Sequence, residues 1–467
     1  MIIRTVPVGF LFVAASLMTV LAGCQNLEED HEASADFVHG ELISFTGVDG
    51  SPNGAWCWFQ DERAIVDTDH PAGPILMFTS ISASVEDSTE QGDLDFHWYG
   101  LESREGGVTE FYDRLGQDDH NVAALYQDDD GRVTALFSRH GSDRLTHIMR
   151  SDPHDPSEWG DMQVFEDEAG VTYHNLLTAG QGPDRKLYDF SRTRGWNPNF
   201  LVKESPDSDW TYGGRLLKSE GRPYMKYHNS RDGSKIHVVA TDQHPRDFDN
   251  SIYHGVMDGR GLFDSFGNAL DNDLSDDDAV VPSAMTLVFG GDPDNVAWMA
   301  DVGVDDYDKP VIAFSVQKDG RDLPPNNGGL DHRYHLARLT DRGWMQNEIA
   351  FAGERLYPFE DDYTGLVAID PEDVNRLVIS TNAHPVTGDA LVSNADQKRH
   401  YELYEGVSTD NGASFEWTAL TLNSTMDNIR PIIPAWDGEQ RVVLWLRGTY
   451  TSYTDFDTQV VGVIQDR

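Results

Sequence analysis

Arg132-Val-Thr-Ala-Leu-Phe-Ser138 is a short apolar run that opens directly after the turn pair Asp130-Gly131. β-Branched and aromatic residues bounded by turn formers read as a strand. Six further runs of the same kind lie along the chain. They are Pro74-Ile-Leu-Met-Phe-Thr-Ser80, Lys186-Leu-Tyr-Asp-Phe-Ser191, Lys235-Ile-His-Val-Val-Ala240, Lys309-Pro-Val-Ile-Ala-Phe-Ser315, Arg376-Leu-Val-Ile-Ser380 and Arg441-Val-Val-Leu-Trp-Leu446. Successive copies are on average about 61 residues apart, room for about four strands per repeat. No convincing amphipathic helix of ten or more residues falls between them. Short regular strands at this spacing predict an all-β fold, a seven-bladed β-propeller, with a two-sheet sandwich array as the alternative.

Working outward, the seven repeats occupy residues 37–467 as one domain with no insertion. Ser408-Thr-Asp-Asn-Gly-Ala-Ser-Phe415 resembles the Asp-box hairpin of sialidase-like propellers, a turn on the outer blade rim that carries no chemistry. The 39% hydrophobic content, with 11 Trp, 17 Tyr and 21 Phe in 467 residues, supplies a sizeable core and excludes a disordered chain. Against 80 Asp+Glu stand only 35 Lys+Arg, for a formal net charge of −45. That balance excludes general nucleic-acid binding, which needs a basic face, and reads as a solvation device.

Within residues 1–23 the run from Val8 to Ala22 is short, apolar and preceded by Arg4, which predicts an export signal rather than a lasting span. Leu21-Ala22-Gly23-Cys24 has the form of a bacterial lipobox, with Cys24 as the lipidated residue and 24–36 as an acidic tether. The expected location is therefore exported, either lipid-anchored at the cell surface or outer membrane or secreted, with membrane contact through the anchor alone. Cys57 is then left unpaired and no disulfide framework exists.

A propeller gathers function at one mouth of its channel, so candidates should flank the repeated strands. His120, in Gln117-Asp-Asp-His-Asn-Val122, precedes one strand, and His140 ends the next, Leu136-Phe-Ser-Arg-His140. Imidazoles suit proton transfer near neutrality. Their polar neighbours Asn121 and Arg139, with Tyr188, Arg222, Lys226, Arg246 and Tyr253, complete a candidate site. In so acidic a chain the group Arg222, Lys226, Arg246, His120 and His140 reads as an anion site, or else as cations each paired to a carboxylate. For a metal, Asp242, His244, His254 and Cys57 offer ligand types without a zinc spacing, and His332 and His335 do no better.

Gly54-Ala-Trp-Cys-Trp-Phe-Gln-Asp-Glu-Arg63, Asp118-Asp-His-Asn-Val122, Phe137-Ser-Arg-His140, Arg222-Pro-Tyr-Met-Lys226 and Asn250-Ser-Ile-Tyr-His254 together resemble the seven-bladed propeller ulvan lyases, polysaccharide lyase families 24 and 25. The resemblance covers most of the chain after Phe37. It implies β-elimination beside a uronic acid in a sulfated polysaccharide, with no cofactor needed for the chemistry and a structural metal, zinc or calcium, elsewhere. On this reading Arg222, helped by His140, neutralises the uronate carboxylate. His120 and Tyr188 form the base–acid pair in either order, with Tyr253 as the alternative tyrosine. Asn121, Arg139, Lys226, Arg246 and Tyr253 are expected to bind substrate. Two other functions fit the same fold: a sialidase-like glycosidase, which needs an Arg cluster and a Tyr nucleophile, and a non-catalytic carbohydrate-binding propeller.

Overall fold

A computed structural model describes residues 36–47, 53–83, 91–276, 278–320, 323 and 327–467. The expected signal 1–23, Cys24 and all of the tether but Asp36 lie outside the described residues. Seven antiparallel sheets of four to six strands follow one another along the chain, each ordered from a short inner strand to an outer one. Among the described residues the only helical elements are three single-turn 3-10 segments. The molecule is a seven-bladed β-propeller, as the repeats predict.

Every one of the seven apolar runs is the second strand of its blade: Ile75–Ile81, Val133–Phe137, Lys186–Thr193, Ile236–Thr241, Pro310–Gln317, Arg376–Thr381 and Gln440–Ser452. A second strand is hydrogen-bonded on both edges and packed on both faces, so it must read as a continuous apolar run. In blade 2, Ala124 and Ile148 face Leu136 from either side, and all five residues of Val133–Phe137 are buried. Gly131 (φ 82°) and Gly233 (φ 66°) sit in the left-handed region at the turns that the Asp-Gly pairs announced. Ser408–Phe415 forms the turn between the third and fourth strands of blade 6, where Asp410 accepts from the Ser414 amide at 2.9 Å.

The ring closes by mixing chain ends. Ile43–Ser44 forms the outer strand of blade 7, pairing with Val461 and Gly462 of the long last strand Asp455–Asp466. Phe37–Val38 pairs with Thr421–Leu422 on blade 6. Closure leaves a channel, and residues 53–63 thread it. Trp56, Cys57, Trp58 and Phe59 on this segment are buried, and its backbone bonds to blade after blade. The Gly54 amide donates to Thr458 O, Ala55 bridges Ile81, the Cys57 amide donates to Asp119 O, and the Leu125 and Leu176 amides donate to Glu62 O and Asp61 O. This plug is the floor under the upper mouth.

Candidate functional site

The upper mouth is where first strands begin and second strands end. Asp118 caps the short turn Asp119–Asn121 ahead of blade 2, its Oδ1 accepting from the His120 amide at 3.0 Å. The same carboxylate takes His120 Nδ1 on Oδ1 at 2.6 Å and His140 Nδ1 on Oδ2 at 2.8 Å. The two imidazoles are thus stacked, 3.9 Å between centroids and 8° apart in plane. Asn121 holds the loop to the strand end: its Oδ1 accepts from the His140 amide at 2.9 Å and its Nδ2 donates to Gly116 O at 2.8 Å. Gln60 of the plug donates to His120 O at 2.5 Å.

Two more side chains reach the pair from blade 3. Its first strand, Thr172–Ala179, breaks register between Thr172 and Asn175, and there Tyr173 adopts φ 64°. A bulge re-aims a side chain, and a tyrosine held at positive φ is strain kept by its surroundings. The Tyr173 ring lies 5.3 Å from His120 and 5.8 Å from His140. Arg192, paired in register with Thr172, carries its guanidinium 4.4 Å above Tyr173, 4.9 Å from Tyr224 and 5.3 Å from Trp196. Arg192 is buried, and its Nε and Nη1 have no hydrogen-bond partner. No carboxylate is within ion-pair reach of it among the described residues. Tyr453, at the turn of the last hairpin, closes the far side 5.2 Å from His120.

The electrostatics separate the two histidines. Burial opposes charge on His120, but the acidic groups around it, the Asp118 and Asp119 carboxylates at 2.6 and 2.9 Å among them, push the imidazole well above its ordinary range. Burial and the charge on His120 hold His140 below that range, despite Asp118. Burial also resists ionisation of Asp118, yet the imidazoles keep its carboxyl well below the usual carboxylate range. Desolvation lifts the Tyr173 phenol well above its normal value, so it keeps its proton. The mouth therefore offers a charged His120, a neutral His140, a protonated phenol and a permanently charged Arg192.

The expected residues divide. The structure brings together His120, His140 and Asn121. Arg139, beside His140 in sequence, is exposed. Arg222 and Arg246 share Asp247 on the rim above blade 4, at 3.2 and 3.6 Å, and Arg246 also donates to Glu360 at 2.7 Å. Arg246 and Tyr253 line a cavity of about 760 Å³ between blades 4 and 5. Glu360 and Asp362 beside it are pushed up to about 7 and about 8 by burial, Glu360 against the pull of Arg246 and Asp362 with the added charge of Glu360. Lys226 is not in a substrate groove. It is buried in the channel wall with its amine 2.6 Å from Asp61 of the plug, because a cation inside the ring needs a carboxylate. Tyr188 packs on Phe190 and Phe200 within blade 3, at 6.1 and 5.8 Å, since its place in the second strand points it into the sheet stack. The tyrosines at the histidines are Tyr173 and Tyr453, of which Tyr173 also lies under Arg192.

The expected metal ligands are also placed elsewhere. Asp242 accepts from Tyr253 Oη at 3.1 Å and from the Ser251 amide at 3.0 Å, while His244 lies between the Tyr224 and Trp298 rings. His237 and His254 face each other at 3.1 Å, but no third donor converges on them among the described residues. Two three-donor groups do form, Cys57–Asp119–His120 and Asp118–His120–His140. Asp119 is already neutralised by Arg430, and Asp118 is spent on both imidazoles. These donors do not fit a structural zinc or calcium.

A sequence profile described as a BNR repeat-containing family member matches residues 90–352, more than half of the chain, and the chain belongs to that family. A search of curated proteins gives no match. Among solved structures, a polysaccharide lyase family 25 ulvan lyase bound to -[GlcA(1-4)Rha3S]- is similar over 90% of this chain and 95% of its own, with 13% identity and a TM-score of 0.59. The polysaccharide lyase Uly1 is similar over 92% and 100%, with 10% identity and a TM-score of 0.54. At these identities the likeness is one of fold.

Proposed function

We propose that this protein is a polysaccharide lyase that cleaves a sulfated uronate polysaccharide of the ulvan type by β-elimination. One observation carries the reading: a buried arginine with unpartnered N–H groups stands beside a stacked histidine pair and a protonated tyrosine at one channel mouth. The fold shared with ulvan lyases supports it.

The C5 proton of a uronate becomes removable only when its carboxylate is neutralised. Arg192 supplies a fixed cation with free donors for that carboxylate, and the charged His120 adds a second. His140 donates Nδ1–H to Asp118, which leaves the Nε2 lone pair as the base for the C5 proton. As the C5–H electrons form the C4–C5 double bond, the C4–O4 bond breaks and the Tyr173 hydroxyl protonates O4. His140 and Tyr173 exchange a proton through solvent to reset the site. Arg192 and Tyr173 thus take the roles first expected of Arg222 and Tyr188, and the histidines exchange theirs, His140 acting in proton transfer in place of His120 and His120 helping with the carboxylate in place of His140.

Turnover with ulvan should raise absorbance at about 235 nm, where unsaturated uronates absorb. A mixture that gains reducing ends without that absorbance would make the protein a hydrolase, and binding without either would make it a carbohydrate-binding propeller. In the same reading the protein is exported and held at the cell surface through lipidated Cys24.

A further inference from the structure

We infer that a second binding site, for a sulfate-bearing polysaccharide chain, lies between blades 2 and 3 on the face opposite the histidine pair. His120 and His140 stand where first strands begin and second strands end. The other face carries the turns after the first strands, residues 128–132 and 180–185, and the turn after the third strand of blade 3, residues 204–210. Between these turns lies a cavity of about 580 Å³, and a second of about 370 Å³ continues it past the shared residues Arg150 and Lys203.

Arg132, Arg150, Arg185, Lys186 and Lys203 line this cleft, five of only 35 basic residues in a chain of net charge −45. Their arrangement is directional. Arg132, Arg185 and Lys186 are 31–37% exposed, whereas their partners Asp130, Asp152, Asp129 and Glu204 are 57–94% exposed. The cations are the less exposed part of the wall, and the carboxylates paired with them, Asp129 and Asp130 at the cleft edge included, reach into water, where such pairs are weak and exchangeable. Asp128, bonded to Arg150 at 2.7 Å, is held inside, and Asp129, Asp130 and Asp207 also edge the first cavity.

Several donors are left over. The Lys203 amine has no ion-pair partner among the described residues, and burial with the neighbouring Arg150 lowers its pKa, a state an incoming anion relieves. Arg185 Nε is buried without a partner, as is Nε1 of Trp210, a residue 8% exposed in the wall of the second cavity. Tyr126 and Leu187 add apolar surface to the first. Fixed cations beside ring faces suit a pyranose chain bearing sulfate esters, with sulfates on the guanidinium and ammonium groups and sugar faces on the aromatic residues. This site does not depend on the catalytic reading.

The test is affinity electrophoresis of the full chain through gels holding ulvan or chemically desulfated ulvan, with double-stranded DNA as competitor. The background is H140A, to prevent digestion. Lys203→Glu with Arg185→Glu should weaken retention by ulvan at least about fivefold, with a shallower salt dependence, and leave retention by desulfated ulvan unchanged. In the otherwise native chain the same pair should leave turnover of short unsulfated uronate oligosaccharides unaltered. Should the reversals lower the melting temperature, Lys203→Gln is read instead, with a smaller loss expected. Equal retention of variant and parent on ulvan would overturn the site, as would equal retention of the parent on the desulfated gel. Displacement by DNA at equal charge concentration would overturn the saccharide assignment. Absence of turnover with sulfate-dependent retention intact would sink the lyase reading and leave this site standing.

Discussion

Three of the cations buried around the channel, Lys226, Arg430 and Arg192, are not alike. Lys226 is 2.6 Å from Asp61, and Arg430 bonds Asp119, Trp56 O at 2.6 Å and Tyr450 Oη at 2.7 Å. Arg192, only a blade away from Lys226, meets aromatic faces and, among the described residues, no carboxylate. A buried charge is costly unless paired, so the paired cations are accounted for by the fold alone. They tie the plug to blades 4 and 7. An unpaired guanidinium at a channel mouth is stability given up, and a ligand carboxylate is the group that restores it.

The largest effect on turnover is expected at Arg192. Arg192→Lys keeps a charge but loses the planar fork, and kcat/KM on ulvan should fall on the order of a thousandfold, about 4 kcal/mol, with an unchanged melting curve. Tolerance of lysine there would deny Arg192 its carboxylate. Lys226→Met should do the reverse. It leaves Asp61 with Arg63 alone, at 3.2 Å, beside Glu62 and Asp301, so denaturant unfolding should show a loss of about 3 kcal/mol, while the folded fraction retains its kcat.

Tyrosines sharpen the same contrast. Tyr173→Phe should cost about a hundredfold in kcat, whereas Tyr188→Phe, in the blade interior, should leave kcat within about twofold. Inverted results would return the role to Tyr188. The smallest effect is expected at His400, an exchangeable pair on the rim, with Asp427 at 3.3 Å and Asp396 at 3.0 Å. Those carboxylates raise its pKa from 6.5 to about 9, against burial. Because the folded value is the higher one, its stabilisation is complete below the unfolded value and disappears as pH rises through about 9. Allowing for solvent screening, His400→Gln should lose about 1 kcal/mol at mildly acid pH and nothing at strongly alkaline pH. A constant difference across the range would remove the ion pair as its cause.

Much of this was legible in the chain. Seven apolar runs marked seven second strands, because a strand buried on both faces shows itself in any sequence window. His120 and His140 could be found as residues flanking one hairpin, a relation set within about twenty residues. Arg192 had a signal too. Phe137-Ser-Arg139 and Phe190-Ser-Arg192 are the same words at the ends of successive second strands, which marks Arg192 as a strand-end cation, although Arg139 is exposed where Arg192 is buried. Tyr173 had none, since its orientation comes from a bulge that only pairing with blade 3's second strand creates.

By itself, then, the sequence determined the repeat, the blade count and the residues at strand ends, all consequences of short-range alternation and turn chemistry. Tertiary structure decided which ends share a mouth, which cations are neutralised and which tyrosines meet the histidines. Those depend on closing the ring through Ile43–Ser44 on the last strand and on seating the 53–63 plug, contacts between residues some four hundred positions apart that no local pattern encodes.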